Sequence, residues 1–174
     1  MSGGSWVRAA HPSDRDAVLA VVHAAFGVNG GDASQELQIV RAIWDRGTAD
    51  VELVAGMHET VVGYVASSVG RLNGHPVPGV APLAVVPGRQ GGGVGTALMT
   101  ELVNRVDRAG LPILVLLGAP AYYARFGFEA AAPLGIWYRP AGKDNPHVQV
   151  RRLTAYSPEL RGEYRYSWEL PPQL

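Results

Sequence analysis

Apolar residues recur at helical spacing in two segments near the start of the chain. Residues 6–10 form a short strand candidate, and residues 12–26 then place apolar side chains three and four positions apart, with Gly27 after the last of them. A second amphipathic segment, residues 35–45, ends before Gly47. The pattern predicts one strand followed by two helices.

The middle of the chain carries mostly strand patterns. Residues 51–55 and 60–69 are two predicted strands. Residues 70–79 contain Asn-Gly and two prolines, which predicts a loop. A third strand is predicted over residues 80–86, and Pro82 within it indicates a bulge or an edge position.

A glycine-rich turn then leads into alternating helices and strands. A helix is predicted over residues 94–109, a buried strand over 113–117 and a short helix over 121–126. Three further strands are predicted at 137–138, 148–150 and 164–168. The order of elements predicts a mixed α/β (α+β) sheet with helices on both faces.

Composition narrows the class of protein. At roughly 150 residues per domain, the 174 residues predict a single domain, with a core at about 5–130 and a C-terminal strand extension at about 131–174. Lys+Arg and Asp+Glu are both 15, so the formal charge is zero, which argues against a nucleic-acid partner. There is no cysteine, and the five histidines lack metal-ligand spacing, so no metal is predicted. The absence of a long apolar run and of a secretory pattern predicts no membrane association and a cytoplasmic location.

Candidate chemistry begins at the glycine-rich turn. It reads Gln90, Gly91, Gly92, Gly93, Val94, Gly95, Thr96. Glycines let a ligand approach the backbone closely, and the start of the following helix favours an anion such as phosphate. The structural alternative is a tight turn whose glycines serve packing. Neither the Walker pattern nor the Gly-x-Gly-x-x-Gly dinucleotide pattern fits these residues.

Two motifs resemble the GNAT superfamily of N-acetyltransferases. The segment Val86-Pro87-x-x-Gln90-Gly91-x-Gly93-Val94-Gly95 is similar to its acetyl-CoA signature, Gln/Arg-x-x-Gly-x-Gly/Ala. Residues 117–128 look like its strand–helix–strand segment that ends in Tyr-x-Arg-Phe-Gly-Phe. The resemblance covers about residues 51–130, and the tail resembles a bacterial branch of predicted acetyltransferases with the segment Tyr-Tyr-x-Arg-Phe-Gly-Phe.

The resemblance implies a mostly antiparallel twisted sheet and acetyl-CoA as co-substrate. It implies acetyl transfer to a primary amine of a small-molecule or peptide acceptor, by direct attack on the thioester. The strand before the turn would pair with pantetheine, and the turn would hold the pyrophosphate. Cofactor contacts are expected at Ala84, Val85, Val86, Arg89, Gln90, Gly91, Gly92, Gly93, Val94, Gly95 and Thr96.

Catalytic candidates follow from the same resemblance and from the chemistry. Tyr123 matches the family's general-acid position and would protonate the departing thiolate. Because Tyr122 and Phe126 are four residues apart in a predicted helix, they share a face, most simply the core, and Tyr123 would point toward the cofactor. A backbone N–H near Val85 would stabilise the oxyanion.

The general base and the partners are less defined by the sequence. Glu36 on the second predicted helix is the first candidate for the base, with Glu52 and His75 as alternatives. The pair Arg151 and Arg152 has two readings, contact with an acidic acceptor or a solvated strand end. A homodimer through residues 164–168 is a further expectation. The alternative function is a non-catalytic acyl-CoA-binding sensor, because no clear base stands out.

Overall fold

The structure of the protein is a computed structural model that describes residues 4–170. The described helices are α1 (Arg15–Phe26), α2 (Ser34–Arg46), α3 (Val94–Arg108) and α4 (Pro120–Tyr123). The strands are β1 (Ser5–Ala9), β2 (Ala49–Met57), β3 (Thr60–Leu72), β4 (His75–Val80), β5 (Ala84–Val85), β6 (Ile113–Leu117), β7 (Glu129–Ala130), β8 (Ile136–Tyr138), β9 (Val148–Arg152) and β10 (Gly162–Arg165). The chain forms two compact units, one of Met1–Ser67 with Ala81–Leu102 and one of Ser68–Val80 with Val103–Leu174.

The first unit is built on the strand order β1-β2-β3, with β5 also paired to β3. β1 and β2 are antiparallel, from Ser5 opposite Met57 to Ala9 opposite Leu53. Neighbouring residues of β3 show that helices pack on both faces. A Cβ atom at Gly63 would lie 2.8 Å from Val94 Cγ1, so α3 lies directly against that face.

Tyr64, the next residue of β3, points to the opposite face because successive side chains of a strand alternate. Its hydroxyl donates to Glu52, which also accepts a hydrogen bond from Trp44 of α2. The first unit therefore carries α2 on one face and α3 on the other, as the sequence predicts.

The predicted strand at residues 80–86 is interrupted. Ala81 N donates to Ala66 O at 2.8 Å, and Val86 N donates to Val62 O at 3.0 Å. Residues 81–86 therefore lie opposite residues 62–66 of β3, which are one residue fewer. The extra residue makes this a β-bulge. Pro82 lies within it, so the bulge expected from that proline is confirmed.

The predicted loop at residues 70–79 is wrong, because the second unit contains a hairpin there. β3 continues to its end, and Asn73 and Gly74 form a two-residue turn with φ values of 46° and 87° before β4. Pro76 and Pro78 are compatible with β4 because alternate residues direct their missing N–H groups to the same edge of the strand.

The second unit has the strand order β3-β4-β6-β9-β7, and β10 pairs with both β3 and β8. The pairs β4–β6 and β8–β10 are parallel, whereas β6–β9, β7–β9 and β3–β10 are antiparallel. Its core combines the predicted extension with earlier strands. The buried members are Leu72, Val77, Ile113, Val115, Ala131, Ile136, Val148, Val150, Tyr164 and Tyr166.

The C-terminal segment differs from its prediction. β10 ends at Arg165, and Ser167–Glu169 form a short 3-10 helix instead of continuing the strand. Tyr164 lies opposite Leu72 on one edge and opposite Tyr138 on the other. Both edges of this strand are therefore paired within the chain, so a second copy cannot add to it as a further strand. Homodimerisation remains a prediction, but β10 does not supply a free edge for it. None of the described helices has the length and apolar character needed to cross a membrane.

An ion pair joins β1 to the start of α1. Arg8 Nη1 and Nη2 donate to the carboxylate of Asp14 at 2.7 and 2.9 Å, and the His11 backbone N–H donates to it at 2.7 Å. The bond from Arg8, together with that from His11, outweighs desolvation and lowers the pKa of Asp14 to about 2.

Replacing Asp14 with asparagine should lower the free energy of unfolding by about 1–2 kcal/mol at pH 7. Because the pKa of the carboxyl group is depressed in the folded state, the stabilisation is present above about pH 4 and is lost as the pH falls toward 2. Urea unfolding of both proteins at pH 7 and at pH 2.5 checks this. The difference should shrink at low pH, and Asp16→Asn, an exposed change in the first turn of α1, is the control.

Candidate active site

The glycine-rich turn has an open surface and a backbone that needs glycine. Gly91 and Gly93 have φ values of +74° and +87°, a region that other residues rarely adopt. A Cβ atom at either position would meet nothing within 4 Å. These two glycines are therefore required by backbone conformation and leave space in front of the turn, which argues against glycines kept for packing.

The start of α3 presents unpaired backbone donors beside that space. The first intrahelical bond runs from Ala97 N to Gly93 O at 2.9 Å. The amides of Val94, Gly95 and Thr96 precede it, and a helix leaves such amides without intrahelical partners. Together with the positive end of the helix dipole, they can bind an anionic group such as a phosphate.

Two polar side chains flank the turn in different ways. Gln90 Nε2 donates to Val85 O at 3.0 Å, so this side chain ties the turn to β5. Arg89 is exposed at the end of the short 3-10 helix Pro87–Arg89. Arg89 is available to an anion in front of the turn, whereas the amide nitrogen of Gln90 is already used.

β5 offers backbone groups on the edge opposite β3. Val86 N bonds to Val62 O, and Ala84 lies opposite Tyr64. Since N–H groups alternate along a strand, the N–H of Val85 points to the other edge. An extended ligand can pair with this edge, and the same N–H can stabilise an oxyanion.

Two carboxylates of the first unit have different surroundings. Glu36 lies in the first turn of α2, half-buried, and its side chain makes no hydrogen bond to the described part of the chain. Glu52 Oε1 accepts hydrogen bonds from Trp44 Nε1 and from the Tyr64 hydroxyl, both at 2.7 Å. The second oxygen of Glu52 has no hydrogen-bond partner among residues 4–170. Glu52 is therefore a fixed, half-buried carboxylate, whereas Glu36 is a less constrained one.

Tyr123 lies in the second unit, where its ring is enclosed on several sides. A Cβ atom at Gly118 would lie 2.5 Å from Tyr123 Cε2, so the ring rests on that backbone. The rings of Tyr122 and Phe128 meet it edge-on, with centroids 4.9 and 5.9 Å away. Burial, and secondarily Tyr122, raises the pKa of Tyr123 to about 12. Its hydroxyl is therefore protonated at neutral pH, and it has no hydrogen-bond partner within the described chain.

The predicted orientation of Tyr122 toward the core is wrong. Tyr122 is half-buried, and Arg125 lies over its ring at 4.6 Å. Its contact with Phe126 is present, with centroids 5.7 Å apart, but Phe126 is not in the core either. The reason is that α4 ends at Tyr123 and continues as a 3-10 turn, which changes the rotation per residue.

Other sequence candidates have ordinary surroundings. His75 is exposed at the start of β4. Arg152 Nε pairs with Glu129 at 2.6 Å across β9 and β7, so the structure gives this arginine a partner within the chain. No group of three or more metal-ligating side chains occurs among the described residues.

Sequence reasoning missed the partners of Glu52 and a cluster around Glu169. Tyr138 donates a short hydrogen bond to Glu169 Oε1, and Tyr166 N donates to Oε2 at 3.0 Å. Only the closely spaced aromatic residues of the tail could have drawn attention to this cluster, because its members come from separate segments.

A free strand edge, a glycine-rich turn and an open helix start together form an arrangement that can bind a phosphate-bearing ligand. The family model described as an acetyltransferase (GNAT) domain matches residues 6–131. The chain therefore belongs to the GNAT acetyltransferase family and is an N-acetyltransferase, which confirms the resemblance seen in its two motifs.

Curated and solved relatives support the same family. The uncharacterized N-acetyltransferase YhbS of Escherichia coli strain K12 is 33% identical over 150 residues, covering 84% of this chain and 86% of the relative. The crystal structure of Escherichia coli YhbS in complex with CoA has a TM-score of 0.86 at 30% identity, covering 95% of this chain and 91% of that one. A Brucella melitensis GNAT acetyltransferase in complex with acetyl-CoA has a TM-score of 0.78 at 28% identity, with 95% and 97% covered. These neighbours confirm the predicted fold class.

Proposed function

We propose that the protein transfers the acetyl group of acetyl-CoA to a primary amine by direct attack on the thioester. The observation that carries this is the open turn at Gly91 and Gly93 in front of the unpaired amides of α3. A pyrophosphate needs that combination of space, N–H donors and positive helix end. The CoA and acetyl-CoA complexes of the two solved relatives support the choice of ligand.

The proposed contacts follow the backbone of β5 and the turn. Pantetheine would run along the strand edge at Ala84, Val85 and Val86. The pyrophosphate would lie on the amides from Gly91 to Thr96, with the guanidinium of Arg89 adding a charge-assisted contact.

The reaction requires two proton movements. The neutral amine attacks the thioester carbonyl carbon, the C–S bond breaks, and the nitrogen loses a proton to a base. The thiolate of CoA takes up a proton, and we assign that proton to the hydroxyl of Tyr123. The N–H of Val85 would stabilise the negative charge on the carbonyl oxygen during the attack.

Two carboxylates are proposed as the base, Glu36 and Glu52. The contacts favour Glu52, because Trp44 and Tyr64 hold one oxygen and leave the other available. A base must be held at a defined place to accept a proton from the amine or from a bridging water.

The substitutions Glu52→Gln and Glu36→Gln should separate the two candidates. If Glu52 is the base, Glu52→Gln lowers kcat by about 10²-fold or more at neutral pH, while CoA binding stays unchanged. Glutamine keeps an acceptor for Trp44 and Tyr64, so the fold should be retained. Steady-state rates of thiol release check this, with the exposed Glu159→Gln as control. A loss in Glu36→Gln alone would assign the base to Glu36.

The function itself is tested by CoA binding and by turnover. CoA at 100 times its dissociation constant should stabilise the fold by about 2.7 kcal/mol, which raises Tm by roughly 5–10 °C for a chain of this size. Acetyl-CoA with an accepted amine should release free thiol. Binding without thiol release, across aminoglycosides, polyamines, amino acids and peptides, would favour a non-catalytic acyl-CoA sensor. No shift in Tm at millimolar CoA would contradict both functions.

A further inference from the structure

A cleft of about 360 Å³ opens in the second unit, where the strands β8 and β10 end side by side. Because the two strands are parallel and Tyr164 lies opposite Tyr138, the residues that follow each strand meet at the same place. The volume lies in the range of small-ligand pockets. The glycine-rich turn and the strand β5 belong to the other unit, so neither lines this cleft.

The charged groups of the cleft are arranged as one neutral pair and two separate charges. Arg139 Nη2 and Glu163 Oε2 form an ion pair at 2.6 Å, and the arginine side chain is 78% exposed. An exposed pair of this kind contributes little and can rearrange around a ligand. Glu169 and Arg165 also line the cleft, but neither of them takes part in that ion pair.

Glu169 is held in place without being neutralised. Its two oxygens accept hydrogen bonds from the Tyr138 hydroxyl and from the Tyr166 backbone N–H, which are uncharged donors. No cation pairs with it among the described residues. The carboxylate is therefore held at a fixed position without a cationic partner among the described residues, which suits an ammonium group.

Arg165 supplies the opposite charge. It is exposed on β10, and its side chain has no hydrogen bond or ion pair within residues 4–170. A guanidinium without a partner binds a carboxylate through two parallel hydrogen bonds. The cleft therefore presents one unneutralised anion and one unneutralised cation to the same small volume.

One buried side chain, Tyr166, packs behind the cleft. The ring of Tyr166 meets that of Tyr138 edge-on, with centroids 5.3 Å apart. Burial, followed by the neighbouring Tyr138 and Glu169 and more weakly by Tyr123, raises the pKa of Tyr166. Tyr166 therefore packs against the ring of Tyr138, whose hydroxyl holds Glu169.

We infer that this cleft binds a small molecule that carries both an ammonium and a carboxylate group, as an amino acid or a short peptide does. The ammonium lies at Glu169 and the carboxylate at Arg165. The inference does not rest on the proposed transferase function, because no residue of the glycine-rich turn or of β5 lines the cleft.

Calorimetry on the wild-type protein without CoA tests the ligand class. Glycylglycine should bind, whereas N-acetylglycylglycine, which lacks the ammonium, and glycylglycine amide, which lacks the carboxylate, should each bind about tenfold more weakly or worse. Equal affinity for the three compounds, or no binding of glycylglycine at millimolar concentration, would overturn the inference.

Two substitutions test the assigned residues. Glu169→Gln removes the charge but keeps one acceptor oxygen for the Tyr138 hydroxyl, and it should weaken glycylglycine binding about tenfold. Arg165→Gln should bind glycylglycine and glycylglycine amide with nearly equal affinity, because the group that recognises the carboxylate is gone. Wild-type affinity for glycylglycine in both variants would overturn the assignment. Glu159→Gln and Arg161→Gln, exposed changes of the same charge outside the cleft, are the matched controls.

A CoA titration separates this inference from the proposed function. Glu169→Gln should bind CoA with wild-type affinity, because no residue of the glycine-rich turn lines the cleft. If CoA binds and glycylglycine does not, the inference fails and the proposed function stands. If CoA does not bind at all, the proposed function fails, and calorimetry with glycylglycine still decides whether the cleft is a zwitterion site.

Discussion

Replacing Gly93 with valine should weaken CoA binding by about 100-fold or more. Gly93 has a φ of +87° and open space in front of it. A β-branched residue is strained at such a φ, and its side chain would occupy the space that a pyrophosphate needs. Losing two hydrogen bonds to a charged group is enough for a change of this size. Isothermal calorimetry with CoA measures it.

Two matched substitutions make the result interpretable. Gly88→Val lies in the short 3-10 helix just before the turn, at an open position without a positive φ, and should bind CoA like the wild type. Gly93→Asn tolerates the positive φ but still fills the space. If Gly93→Asn binds normally while Gly93→Val does not, backbone strain is responsible and the pyrophosphate lies elsewhere. Wild-type affinity in Gly93→Val would contradict the site directly.

Replacing Tyr123 with phenylalanine should lower kcat by about 10²-fold with little change in CoA affinity. The substitution removes the hydroxyl and keeps the ring that rests on Gly118 and contacts Phe128. General acids contribute roughly 10²–10⁴-fold, and the low end applies because a thiolate is already a tolerable leaving group. Single-turnover thiol release with a saturating amine measures the chemical step.

The pH dependence provides a second check on Tyr123. An acid acts while it is protonated, and the pKa of Tyr123 is raised to about 12, so its contribution should persist up to about pH 11. A fall in kcat near pH 9 would have to come from another group. Tyr122→Phe is the matched control, because that side chain is half-buried under Arg125. If Tyr122→Phe alone is slow, the roles of the two tyrosines are exchanged.

Several features of the candidate site could be predicted because they depend only on residues that are adjacent in the sequence. Gly91 and Gly93 predict an open backbone, and the apolar spacing from Val94 onward predicts α3 directly after it. The bulge at Pro82 follows from the missing N–H of that residue. Each of these rests on the conformational limits of a few consecutive residues.

Other features depended on partners far away in the chain. From the sequence alone, Pro76 and Pro78 suggest a loop. The structure instead places them in β4, which pairs with β3 on one side and with β6 on the other. In the sequence, nothing distinguishes Glu52 from any other glutamate on a strand. Only the structure shows that the hydroxyl of Tyr64 and the indole of Trp44 donate hydrogen bonds to it. Local patterns carry no information about such contacts.

The sequence by itself determined the family, the glycine-rich turn as the candidate anion site and Tyr123 as the candidate acid, since short motifs and backbone limits are enough for these. The tertiary structure decided which carboxylate is held in place, that Tyr123 is enclosed more closely than Tyr122, and that Glu169 and Arg165 share one cleft. The physical reason is that burial, hydrogen bonding and uncompensated charge arise when distant strands pair, and no local pattern specifies which side chains that pairing brings together.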